Sequence, residues 1–127
     1  MNRVLNSLNK NIRSYRYALR GLSFVFRTEN NMIYHSIAAF ISVVCGLIFQ
    51  ISNSEWIAIF LACGLVFMAE IFNTALEKLL DFISPEHNTQ VGLIKDISAA
   101  AVLTISIAAL LVGTVIFIPK IFSLLNF

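Results

Sequence analysis

Glu70, Asn73, Thr74, Glu77 and Asp81 stand at spacings of 3, 1, 3 and 4 in an otherwise apolar stretch of the chain. At 100° per residue they fall on one helical stripe about 100° wide, while Ile71, Phe72, Leu76 and Leu79 point elsewhere. Ionisable groups are expensive inside an apolar helix and usually serve a function there. Three kinds of chemistry need such a stripe. Carboxylate oxygens can hold Mg²⁺, which keeps its waters while bridging phosphates. One carboxylate can act as general base toward a hydroxyl. The same groups can also relay a proton or ion, and periodicity alone does not choose among the three.

Lys95-Asp96 precedes the next long apolar run. A helix starting there would offer free N–H groups and a positive dipole end to a phosphate, with Lys95 adding a cation. The plainer reading is a flanking lysine with Asp96 as helix cap. Glu29, at the entrance to the first apolar run, can reach the same layer and complete a metal site; alone it would be a solvated charge. The chain has no Gly-x-x-x-x-Gly-Lys-Ser/Thr loop, no Gly-x-Gly-x-x-Gly and no protein-kinase signature. Any ATP site must therefore be built from membrane helices. His35 and His87 read as polar flank residues, and Cys45 and Cys63 as small packing residues without metal spacing.

The elements that must position these residues follow from composition. Of 127 residues, 58% are hydrophobic and 13% charged, against about 25% charged in soluble domains. Mean hydropathy is +0.83. Such a chain cannot cover a water-facing surface, which excludes an ordinary soluble enzyme, a disordered chain and a nucleic-acid-binding domain. It reads as a single all-α integral membrane domain over 1–127.

Residues 1–29 form a basic amphipathic surface helix. Leu5, Leu8, Ile12, Tyr15, Leu19 and Leu22 make its apolar seam, and Arg13, Arg16 and Arg20 follow one residue behind. A partner helix is the alternative contact for that seam. The six bases of residues 1–27 face no acid, which suits anionic lipid headgroups rather than nucleic acid. Asn30-Asn31 then interrupts. Three membrane helices are expected at 32–51, 55–83 and 96–119, with the second protruding from the membrane and a polar cytoplasmic loop at 84–95. The distribution of Lys and Arg puts the N-terminus and that loop on the cytoplasmic side of the inner membrane.

The run Glu70-Ile71-Phe72-Asn73-Thr74-Ala75-Leu76-Glu77-Lys78-Leu79-Leu80-Asp81 resembles the signature of the small bacterial diacylglycerol kinase/undecaprenol kinase family, Glu-x-x-Asn-Ser/Thr-Ala-x-Glu-x-x-x-Asp. Lys95-Asp96-x-x-Ala99-x-Ala101-Val102-Leu103 resembles its next block, and Tyr17, Gly21-Leu22 and Glu29 also fall in place. The resemblance implies a homotrimeric helical bundle of three-span protomers, each with a surface helix. It implies transfer of the ATP γ-phosphate to a lipid hydroxyl, with Mg²⁺ as cofactor. By motif position, Glu70 resembles the general base, and Glu29 and Glu77 the Mg²⁺ ligands, with Asn73 nearby. Tyr17, Glu86, Lys95 and Asp96 resemble the nucleotide contacts.

The loop departs from the family in reading Glu86-His87-Asn88 where Glu-x-His is frequent. Asn31, His35, Glu55-Trp56 and Phe117-Ile118-Pro119-Lys120 look more like the undecaprenol kinase branch than the diacylglycerol kinase branch. A different class remains open from the residues themselves: a small oligomeric proton or ion conductor with Glu70 as relay. The outer halves of the spans, however, offer such a path little beyond Ser42 and Gln50.

Overall fold

The computed structural model describes residues 2–86 and 88–125, with side chains from residue 12 onward. The expectations on Arg3, Leu5, Leu8, Lys10 and His87 lie outside the described side chains. Among the described residues the fold is entirely helical, in chain order α1 (Asn2–Thr28), α2 (Asn30–Ile48), α3 (Asn53–Ile83) and α4 (Thr89–Leu124). The last three are long and apolar enough to cross a membrane.

α1 leaves Ile12, Tyr15, Leu19 and Leu22 exposed along its seam. Only its end packs inward, where Val25 is buried and the Phe26 ring lies 6.4 Å from that of Phe67 on α3. One extended residue, Glu29 (φ −105°, ψ 114°), separates α1 from α2. Its N–H still bonds to Val25 O at 2.9 Å and its carbonyl accepts from Met32 N at 3.2 Å. The chain thus turns a corner on a single acidic residue, and Asn30-Asn31 is the first turn of α2 rather than the break.

α2 closes with a Schellman motif. Ile51 N bonds to Gly46 O at 3.1 Å and Gln50 N to Leu47 O at 3.4 Å, with Gln50 in the left-handed region at φ 49°. α3 then starts on a capping box: Ser52 Oγ accepts from Glu55 N, and Glu55 Oε2 accepts from Ser52 N at 2.7 Å. Ile51, Ile59 and Ile116 are the buried core of this end, packed by Trp56, Phe49 and Phe117. Lys120 reaches Glu55 at 3.1 Å, tying the end of α4 to the start of α3.

The start of α4 corrects the sequence expectation. Asn88 is the N-cap, its side chain accepting from Gln90 N and Val91 N, and helix runs from Thr89 onward. Most of the expected loop 84–95 is therefore helical, since nothing after Pro85 breaks the pattern and Asn88 satisfies the first amides. Asp96 is not a cap. Lys95 and Asp96 stand beyond the first turn, away from any free helix N–H, so the dipole argument for a phosphate there does not hold.

Candidate active site

α3 carries the polar stripe into the interior of the chain. Glu70 is 0% exposed, Thr74 1% and Asn73 7%, the three buried polar residues of the molecule as described. Thr74 Oγ donates to the main-chain carbonyl of Glu70 at 2.9 Å. Asn73 Nδ2 donates to Glu77 Oε1 at 3.0 Å, one turn along the same stripe.

What remains unsatisfied is informative. Neither carboxylate oxygen of Glu70 has a hydrogen-bond partner, and neither does Oδ1 of Asn73. Buried polar atoms are nearly always paired, so such orphans call for a partner from outside the chain. The Asn31 side-chain amide of α2 approaches the Glu70 carboxyl without completing a well-formed hydrogen bond, and His35 of α2, Glu29 at the α1–α2 corner and Glu77 lie within electrostatic reach of it. The corner residue and one face of α2 are thereby folded over the stripe of α3.

Further along α3, Asp81 pairs with Lys95 across the α3–α4 hairpin. Lys95 is thus held at the end of the stripe by an ion pair, not by a helix terminus. Tyr17, Glu86 and Asp96 are exposed on the chain. Tyr17 lies 12 residues before Glu29 on α1, about 18 Å along a helix. A single chain therefore assembles Glu70, Asn73, Glu77 and Glu29, adds Lys95 beyond them, and leaves Tyr17, Glu86 and Asp96 outside.

The structure also adds residues to the site. Asn31 and His35, read from sequence as branch features and flank polarity, face Glu70. Their signal was an i, i+4 spacing at the start of α2, which puts both on one helix face.

The donor set suits a hard cation. Among the described residues no three His, Cys, Asp or Glu side chains group closely enough to cage a metal. Mg²⁺ does not need such a cage: it takes one or two carboxylates, keeps water and completes its shell with phosphate oxygens. Glu29, Glu77 and the orphaned Asn73 Oδ1 supply oxygen donors of that kind.

Residues 16–117 match the family model of the prokaryotic diacylglycerol kinases. The chain belongs to that family. It is a multi-pass membrane protein and a lipid kinase. Among similar proteins is the undecaprenol kinase of Bacillus subtilis (strain 168), 36% identical over 115 residues, covering 91% of this chain and 94% of that protein. The diacylglycerol kinase of Synechocystis sp. (strain ATCC 27184 / PCC 6803 / Kazusa) is 30% identical over 113 residues, 88% of this chain and 65% of that protein. The matched region of this family member contains every residue of the stripe, the Glu29 corner and Lys95.

Proposed function

We propose that the protein transfers the γ-phosphate of ATP to the hydroxyl of a membrane lipid, with undecaprenol favoured over 1,2-diacylglycerol. The product is undecaprenyl phosphate, or phosphatidic acid from the second acceptor. One observation carries this reading: Glu70 is fully buried with both carboxylate oxygens unpartnered, while an oxygen-donor set begins one turn away at Asn73 and Glu77.

Depth in the membrane supports a lipid acceptor. Counting from Trp56 at the far end of α3, Glu70 lies about 21 Å along the helix and Glu77 about 32 Å. Against a hydrocarbon core of roughly 30 Å, Glu70 sits inside the edge of the apolar layer and Glu77 at headgroup level. A lipid hydroxyl comes to Glu70 from the bilayer, and a water-borne nucleotide comes to Glu77 from the aqueous side. The Lys and Arg distribution supports the cytoplasmic side for that end, in keeping with an inner-membrane location.

In the reaction, a carboxylate oxygen of Glu70 accepts the hydroxyl proton as the lipid oxygen attacks the γ-phosphorus. The bond to the β,γ-bridging oxygen breaks and ADP leaves. Glu29, Glu77 and Asn73 Oδ1 would hold Mg²⁺, which would supply charge neutralisation to the phosphates. Lys95, steadied by Asp81, contributes positive charge to the nucleotide, and Tyr17, Glu86 and Asp96 complete its contacts. Phosphoryl transfer asks for little beyond positioning, charge neutralisation and a base.

Tyr17 lies about 18 Å along a helix from the Glu29 corner, and a homotrimer with sites between protomers would bring a neighbour's Tyr17 to the nucleotide. A three-helix protomer has little interior in which to enclose a nucleotide, which points the same way. Membership of a kinase family and the gathering of Glu29, Glu70, Glu77, Asp81 and Lys95 toward one end of the bundle favour transfer over an ion relay. The greater identity and fuller coverage of the undecaprenol kinase relative favour that acceptor. Labelled phosphate transfer from ATP to undecaprenol and to diacylglycerol, compared in the same micelles, tests both points. Faster labelling of undecaprenol is expected; faster labelling of diacylglycerol reverses the acceptor, and labelling of neither removes the proposal.

A further inference from the structure

Between α2, α3 and α4, on the bilayer side of Glu70, lies a largely apolar cavity of about 260 Å³. Small side chains dominate its walls, with Ala38 from α2, Ala62 from α3 and Ala109 from α4. Its polar members differ in how they are satisfied. Ser42 Oγ donates to Ala38 O at 2.9 Å, whereas Ser106 Oγ is buried without a partner.

Two residues join this cavity to the site. Val66 lines it and is one helical turn before Glu70 on the same face of α3. His35 lines it as well and lies within electrostatic reach of the Glu70 carboxyl. The cavity therefore leads away from the base, along α3 as far as Ile59, toward the middle of the bilayer.

We propose that this cavity receives the head end of the acceptor's hydrocarbon chain, and that Ala38, Ala62 and Ala109 set the chain width it admits. The inference rests on the lipid-kinase reading above and specifies how the acceptor is held. A volume of about 260 Å³ holds about nine water-sized groups at ~30 Å³ each. That is the volume of about the first nine carbons of one chain. A single chain under one hydroxyl is the layout of a polyisoprenoid alcohol, whereas a diacylglycerol must leave at least one chain in the bilayer. The occupant is thus a single unbranched-path chain whose hydroxyl stands at Glu70.

The test compares two alcohols, a long-chain polyprenol and a five-carbon prenol too short to fill the cavity while its hydroxyl is at Glu70. Wild type, Ala62→Leu and Ala109→Leu are assayed for KM and kcat on each in detergent micelles. A side chain added to an apolar subsite alters discrimination by about tenfold or more. KM for the long alcohol should rise by about that factor in both variants, with kcat and KM for the short alcohol unchanged. An unchanged KM for the long alcohol overturns the proposal, and so does equal damage with both alcohols, which assigns the cavity to packing alone.

A second arm uses wild-type protein and does not depend on turnover. A polyprenol carrying a photoreactive diazirine in its first two isoprene units should label segments 59–67 and 106–110 at cavity-lining residues. Labelling confined to lipid-facing residues such as Phe60 and Leu61 contradicts it. If wild type phosphorylates neither alcohol, the kinase reading fails while the labelling result still decides the cavity.

Discussion

Glu70 combines two properties that a structural carboxylate rarely has together: it is completely buried, and neither oxygen is hydrogen-bonded. Among its neighbours Thr74 bonds to the Glu70 carbonyl and Asn73 Nδ2 to Glu77, which leaves the Glu70 carboxylate and Asn73 Oδ1 as the unpartnered groups of the stripe. Glu77 is held by Asn73 at 3.0 Å, and this bond aims the Asn73 Oδ1 atom away from Glu77. Replacing Glu77 with Ala should therefore act on the cation first. The Mg²⁺ concentration for half-maximal activity should rise by about tenfold or more, with the acceptor KM little changed. An unaltered Mg²⁺ requirement would take Glu77 out of the metal set. Asn73→Asp keeps the oxygen and removes the donor to Glu77, so it should retain more activity at high Mg²⁺ than Asn73→Leu, which removes both. Equal loss in the two variants, read from Mg²⁺ titrations, would show that Oδ1 is not a ligand. The stripe itself was legible because few charges occur in this chain and five polar side chains recur at helical spacing. Asn31 and His35 were not, because two polar residues at the head of a membrane span look like interface residues until a second helix is folded against them.

At the level of elements, the end of the bundle opposite the site sets how α3 and α4 present their residues. Gly46 sits where a Cβ would lie 2.6 Å from Trp56 Cη2 and 2.9 Å from Cζ2. Gly46→Ala must push the indole out of the Ile51–Ile59–Ile116 core or move α2, costing about 1–3 kcal/mol by overpacking. A fall in the thermal midpoint in detergent checks this, and a midpoint equal to wild type contradicts it. The Glu55–Lys120 pair is part-exposed, so Lys120→Met should lower the midpoint less than Gly46→Ala does. Helix α3 could be read closely from sequence because its capping box and Pro85 mark both ends. The start of α4 could not. Thr89 to Ile94 is mixed in polarity and resembles a loop, and only the cap by Asn88 makes it helical. That extra length is what brings Lys95 opposite Asp81 instead of leaving it at a helix terminus. Asp81→Asn should consequently raise the KM for ATP by releasing Lys95 from its position, while leaving the acceptor KM in place. A shift in the acceptor KM alone would contradict that role.

As described, the molecule has three helices long enough to span a membrane and a helix α1 whose Ile12, Tyr15, Leu19 and Leu22 remain uncovered by its own chain. Its membrane character was evident from composition, and its polar layer from the few charges. The number of chains was not, because an apolar surface facing lipid and one facing another protomer have the same composition. Native mass measurement in detergent should give a trimer, and a monomer at full activity would contradict sites shared between protomers. In the proposed reaction the buried carboxylate of Glu70 takes the proton from a lipid hydroxyl during phosphate transfer. Its most direct test is Glu70→Gln, which keeps size and removes the base, assayed by single-turnover transfer from ATP to undecaprenol alongside nucleotide affinity. Transfer should fall by about 10²–10⁴ with affinity for Mg²⁺-ATP unchanged; transfer at the wild-type rate would show that Glu70 is not the base.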